Sequence, residues 1–346
     1  MIFIGDLVCP SECVDLLKRN IASEDIFDNE VVVINLEANI LCDNDVRKPL
    51  TLWNSPRIVE LFHRAKHVIV SLANNHAYDY PEKILTTTDY LKKHGIGVFG
   101  LYNEDGSFDP YEYTDEGGIV HAFFGHCWRL YTRTNPNKDN DVRIVDCSYT
   151  AFSERIRQYK RNHTNTKVYC MMHWNYDLEH LPFPMHRKVA RQLIDSGADV
   201  VVGSHSHRPQ GGELYNGRPI LYGMGNFYLP SGVFFSGNLE YPECSHLTCS
   251  LQIQNNQNRV VWFYTDGESP LRLVEIEPLN GKRIAAYSPY VGMSDEDYVK
   301  YFKINRLKKT FVPVFDEIDG MKLLCKESWA IMRVAFLRAV LKVFNK

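Results

Sequence analysis

The sequence lacks an excess of either charge: 39 Lys and Arg stand against 42 Asp and Glu, a formal net charge of −3. A polyanionic backbone selects clustered surplus Lys and Arg, so the composition excludes nucleic acid as an expected partner, and an anionic substrate has to be met locally. It also lacks paired cysteine motifs. The nine cysteines are odd in number and scattered without a CxxC, which excludes a zinc ribbon and a dithiol redox site; most read as small buried hydrophobes. Long apolar runs are missing too. Asp6 interrupts the opening MIFIGDLVCP, which has no basic leader, so no secretory signal peptide is expected and a cytoplasmic setting with reduced thiols fits. There is no internal repeat and no low-complexity tract. What remains, 346 residues at 45% hydrophobic and 23% charged, is a globular composition.

Six short apolar segments read as buried strands: Ile2 to Ile4, Val31 to Ile34, Val68 to Leu72, Val168 to Met172, Asp199 to Gly203 and Pro219 to Tyr222. Helical patterns fall between several of them, at Pro56 to His67 and at Met185 to Ser196, the second stopped by Gly197. Strand and helix alternate, which argues an α/β architecture. The polar stretches Tyr102 to Gly118 and Thr132 to Arg143 read as surface loops. From Val260 to Ile284 short strand patterns return, as in an outer sheet.

Each of the six strands ends in a polar cluster. Ligands of α/β sheets bind beyond the carboxyl ends of the strands, so this repetition points to one shared site. His205 and His207 in GSHSH follow the fifth strand, and His173 directly follows the fourth. Asn75 and His76 follow the third; there an amide oxygen is an adequate ligand and an imidazole can donate a proton, although an Asn in this place also serves as a helix cap. Asp6 and Glu37 lie just past the first and second. Imidazoles mixed with carboxylates suit Zn, Mn or Fe rather than Mg or Ca. Trp174, beside His173, reads as packing.

The strings GD (Asp6), NLE (Glu37), SLANNHAYDY (Ser71 to Tyr80), HW (His173) and GADVVVGSHSHRPQGGELYNGRPILYGMGNF (Gly197 to Phe227) resemble the signature blocks of CapA-type capsule biosynthesis proteins. That family is a branch of the calcineurin-like metallophosphoesterases, and the resemblance runs from residue 1 to about Phe227. It implies a four-layer α-β-β-α sandwich over residues 1–290, followed by a helical extension over 291–346. It also implies two metal positions: Asp6 and His207 at the first, Asn75, His173 and His205 at the second, Glu37 bridging them, and His76 facing a leaving group.

Departures from the family pattern bear on the site. Val8 stands where the superfamily's Asp-x-His has its histidine, which leaves the first position a ligand short. HWNYD replaces HWGxE, making Asp177 a candidate substrate contact. Arg218 and Asn226 are further candidates, with Gly225-Asn226 equally readable as a structural turn. Three functions follow as alternatives: a metal-dependent hydrolase or transferase of a phosphoester or polymer-linked anionic substrate, a non-catalytic partner of other capsule-assembly proteins, and a metal-dependent hydrolase of a poly-γ-glutamate chain. Finally, Cys325 to Lys346 reads as a helix that mixes Trp329, Phe336 and Leu337 with Arg333, Arg338 and Lys342. That composition fits peripheral contact with the inner face of a membrane, or packing on the body of the protein.

Overall fold

The computed structural model describes residues 1–134, 142–254, 257–266, 271–307 and 311–344. In chain order the strands are β1 (Ile2–Leu7), β2 (Val31–Leu36), β3 (His67–Ser71), β4 (Gly97–Phe99), β5 (Tyr111–Thr114), β6 (Val120–Cys127) and β7 (Lys167–His173). They continue as β8 (Val200–Ser204), β9 (Gly212–Tyr215), β10 (Arg218–Leu221), β11 (Asn226–Tyr228), β12 (Leu247–Gln254), β13 (Gln257–Tyr264) and β14 (Arg272–Pro278). The helices are α1 (Val14–Ala22), α2 (Ile84–Lys93), α3 (Arg129–Thr134), α4 (Tyr149–Asn162), α5 (Pro184–Asp195), α6 (Lys282–Ala286), α7 (Asp295–Asn305) and α8 (Gly320–Phe344).

These strands make two sheets. The first runs β14-β13-β12-β1-β2-β3-β4, with β11 also on β1, and the second runs β5-β6-β7-β8-β10-β9. In the centre of each the strands are parallel, β1 to β4 in one and β6, β7, β8 and β10 in the other. Parallel strands are covered on both faces, which is why β1 and β2 are buried at every position.

Alternation along the strands assigns the faces. Phe3, Val33, Ile69, Phe123, Tyr169, Met171 and Val202 share one core between the two sheets, and Phe3 meets Tyr169 at a ring-centroid distance of 5.4 Å. Ile2, Ile4, Val32 and Ile34 turn the other way, into a core with Val14 and Leu17 of α1 and Leu91 of α2. On the far side of the second sheet, Val168, Cys170 and Met172 pack with α4, α5, and Tyr298, Phe302, Phe315, Leu323 and Ala330 of the C-terminal segment. Two sheets with helices packed against them is the α/β class expected from the sequence.

The structure corrects three local expectations. Pro56 to His67 forms only a short 3-10 turn, Pro56–Glu60, and His67 already belongs to β3. Backbone bonds from Asn29 to the Arg64 carbonyl and from Lys66 to the Glu30 carbonyl tie this stretch to the entrance of β2 and draw it out of the helix. The supposed loop Tyr102 to Gly118 contains β5, an edge strand whose Tyr111 and Tyr113 lean on the inter-sheet core while Glu112 and Thr114 face outward. By contrast, α5 ends at Gly197 as read, with that residue at φ 111°. Of the expected loop Thr132 to Arg143, the first three residues instead close helix α3, and 135–141 lie outside the described residues. Among the described residues no helix is long and apolar enough to cross a membrane.

Candidate metal centre

Every polar cluster past β1, β2, β3, β7 and β8 converges. Asp6 is buried within β1, and its Oδ2 accepts from the His205 backbone N–H at 3.0 Å. That bond crosses from one sheet to the other. His205 (φ 83°) and His207 (φ 54°) both hold left-handed backbone, uncommon for residues with a side chain. The tight loop after β8 thereby turns both imidazoles inward, and both are buried.

Three atoms close on the Nε2 of His173: Asn75 Oδ1 at 2.6 Å, His205 Nδ1 at 2.9 Å and Glu37 Oε1 at 3.7 Å. The Nδ1 of the same ring meets Ser204 Oγ at 3.0 Å and Asn35 Nδ2 at 3.3 Å. Asn35 also donates to Asp6 Oδ1 at 2.6 Å, which fixes the orientation of its amide. On the other side, His207 Nδ1 lies 2.7 Å from Asn226 Oδ1, leaving Nε2 free of that bond and able to ligate. Glu37, His205 and His207 present ligand atoms within 4.8 Å of one another.

Glu37 decides what the cluster suits. Its side chain is fully buried, and among the described residues neither carboxylate oxygen has a hydrogen-bond donor. Burial raises its pKa well above the usual carboxylate range, and the nearby Asp6, Asp177 and Asp79 push it further in the same direction. A buried carboxylate without donors is costly, and a cation among the imidazoles would supply the missing partner. Burial, followed by the charges of the neighbouring histidines, lowers the pKa of His173 and keeps it neutral. His207 is lowered as well, burial outweighing the opposing pull of Asp6 and Asp177. Neutral imidazole is the form that binds metal. The donor set of nitrogen and carboxylate fits a divalent transition metal.

His76 differs from the other histidines. Its Nδ1 is 2.8 Å from Asp79 Oδ2, and its Nε2 faces the cluster 3.8 Å from Glu37 Oε1. Burial lowers its pKa, but the charge of Asp79 and its hydrogen bond, with further help from Asp177 and Asp6, leave it raised overall. Asp79 is itself anchored by the Leu52 N–H at 2.8 Å.

The structure thus brings together Asp6, Glu37, Asn75, His76, His173, His205, His207 and Asn226. Asp177, expected as a substrate contact, sits with its carboxylate 2.9 Å from His205 Nε2 and its side chain 61% exposed, at the mouth of the cluster. Arg218 is not brought there. It pairs with Asp199 at the opposite end of β8, because β10 runs parallel to β8 and Arg218 opens it. Trp174 is buried and donates to the Tyr222 carbonyl at 2.9 Å, a packing role. Asn35, Ser204 and Asp79 were not singled out by sequence reasoning. Asn35 carried one usable signal: it stands in β2 two residues before Glu37, the spacing that puts side chains of an extended chain on one side. Tyr131 and Tyr241 were missed as well; their ring centroids lie 4.0 Å from that of His205 and 4.9 Å from that of His207.

Fold and site define the class: a two-sheet α/β protein whose buried imidazoles and carboxylates, gathered past the carboxyl ends of parallel strands, can hold a divalent cation. Residues 14–231 match the family model described as bacterial capsule synthesis protein PGA_cap, and the chain belongs to that family. The "PGA biosynthesis protein CapA" of Bacillus subtilis is 24% identical over 243 residues, 66% of this chain and 63% of that protein. A Mycobacterium tuberculosis "Probable polyglutamine synthesis accessory protein" is 25% identical over 220 residues, 57% of this chain and 55% of that protein. The chain therefore spans less than two thirds of the length of either relative. A solved structure described as "Putative 5'-Nucleotidase from Staphylococcus aureus" aligns with a TM-score of 0.45 at 12% identity, covering 86% of this chain and 58% of that one.

Proposed function

We propose that this chain is a metal-dependent hydrolase or transferase acting on a phosphoester or polymer-linked anionic substrate in the making of a capsule or other extracellular polymer. The observation that carries the reading is Glu37, whose two donor-less oxygens lie amid His173, His205, His207 and Asn75. Those residues would hold the ion, which when bound would supply Lewis-acid stabilisation of developing negative charge. The names of the relatives support the polymer context, and the resemblance to metallophosphoesterases supports the phosphoester.

The chain's own groups then divide the work. Asp79 behind His76 favours the protonated ring, whose Nε2 faces the cluster where a leaving oxygen would depart. Asn226 and Asn35 orient His207 and His173. Tyr131 and Tyr241 wall the imidazoles and exclude water. Asp177 guards the entrance and, being an anion, disfavours substrates whose charge is not met by the cation.

One observation favours a non-catalytic assembly role instead. Val8 is buried in an apolar cluster with Ala38, Leu52, Leu229 and Phe234, so the first metal position gains nothing from it. A single experiment separates the readings: Mn- or Zn-loaded protein is assayed against aryl phosphomonoesters, phosphodiesters and poly-γ-glutamate. Turnover that needs metal and falls roughly 100-fold in His76→Ala supports the enzyme. A metal-loaded protein inert toward the whole panel supports the assembly role.

A further inference from the structure

Helix α8 buries one face and leaves another bare. Leu323 and Ala330 enter the core of the second sheet, and Glu327 turns inward to Arg129 at 2.7 Å and to Arg133. On the outer side Trp329, Met332, Phe336 and Leu337, together with Phe311, line a groove of about 540 Å³ with Arg333 among them. Phe311 and Phe336 are 71% and 66% exposed. The indole Nε1 of Trp329 donates to the Phe311 carbonyl at 3.0 Å, which joins the two sides of the groove into one surface.

The charge of this helix is mostly of one sign. Its sequence carries Lys322, Lys326, Arg333, Arg338 and Lys342 against Glu327 alone, and Glu327 is spent on the interior pair. Lys326 is matched by Asp316 and Glu317 just before the helix. That leaves four bases without an acid to match them in the helix sequence, and Arg333 among them lies in the apolar, aromatic groove. Contiguous exposed apolar area marks a binding surface, and large apolar side chains with arginine and lysine alongside are the composition that settles into an anionic headgroup layer.

We propose that the outer face of α8 docks on an anionic lipid surface. The placement gives this a consequence. Helix α8 packs on α3 through the Arg129–Glu327 pair, and the Tyr131 ring of α3 lies against that of His205, centroids 4.0 Å apart. Docking through α8 therefore holds the metal centre one helix away from the bilayer, within reach of a membrane-held substrate.

The test is independent of any catalytic activity. Full-length protein is sedimented with vesicles of phosphatidylcholine alone and of equal parts phosphatidylcholine and phosphatidylglycerol, at low and high salt. It should pellet with the anionic vesicles at low salt and be released by high salt. Arg333→Glu should weaken that binding at least about fivefold, and Trp329→Asp with Phe336→Asp should abolish it, with melting temperature and metal content unchanged from the parent. Protein that stays in the supernatant with anionic vesicles, or variants that bind like the parent, would overturn the proposal. So would equal binding to neutral vesicles. A parent dimer that the Trp329/Phe336 variant dissociates, with no vesicle binding by either, would reassign the face to a contact between copies of this chain.

Discussion

Glu37 and His207 carry complementary demands: one offers buried oxygens without donors, the other a ring whose Nδ1 is committed to Asn226. Replacing Asn226 with Ala removes the acceptor that sets the tautomer of His207. Metal affinity should then fall by roughly 10- to 100-fold, as it does when such supporting partners are lost, while the fold persists; isothermal titration with Zn or Mn measures this. His76→Ala should leave affinity near that of the parent, because its Nε2 stands 3.8 Å from Glu37 and its Nδ1 is bonded to Asp79. These residues were legible unequally. His205, His207, His173, Asp6 and Glu37 announced themselves by standing just past apolar strands. Asn35 sits inside such a run, and Ser204 and Asp79 look like ordinary loop residues, so their roles emerge only when the chain closes and brings together partners 31 and 138 residues apart.

At the scale of elements, the parallel strands could be read because burial on both faces writes continuous apolar runs. Pro56 to His67 could not, since an apolar period of three to four is shared by helices and by compact turns held down by distant backbone bonds. Position 5 shows how tightly the elements meet. A Cβ at Gly5 would stand 2.0 Å from the Gly225 carbonyl oxygen, where Asp6 N–H bonds the same carbonyl at 3.0 Å. Gly5→Ala must part β1 from the turn before β11, at a cost of about 1–3 kcal/mol. Because Asp6 and Asn226 flank that contact, metal binding should weaken along with the melting temperature. The second sheet yields a pH prediction. Burial lowers the pKa of His126 to about 4 from an ordinary 6.5, its Nε2 bonded to the Cys147 carbonyl at 2.8 Å. Between those values the unfolded chain takes a proton that the folded chain refuses. Stability is therefore full above pH 6.5 and declines as pH falls toward 4, by no more than about 3 kcal/mol from this group. Urea denaturation across that window should show the decline, with a shallower slope in His126→Gln.

For the molecule as a whole, the cluster draws on both sheets at once, since Asp6 and Glu37 come from the first and His173, His205 and His207 from the second. An ion bound there ties the sheets together and binds only the folded chain. At a free concentration one hundred times the dissociation constant it should stabilise the fold by about 2.7 kcal/mol, visible as a rise in melting temperature that chelation reverses. The α/β class and the location of the site were thus legible from alternation and strand ends, whereas the inward turn of Glu327 depends on packing that no local pattern records. The central claim is that Glu37, His205 and His207 hold a divalent ion, and elemental analysis of the parent and of Glu37→Gln, each stripped, reloaded with Mn or Zn and desalted, tests it most directly. The parent should retain at least one ion per chain and the folded variant little or none; a parent that retains no metal, or a variant that retains as much as the parent, would contradict the account.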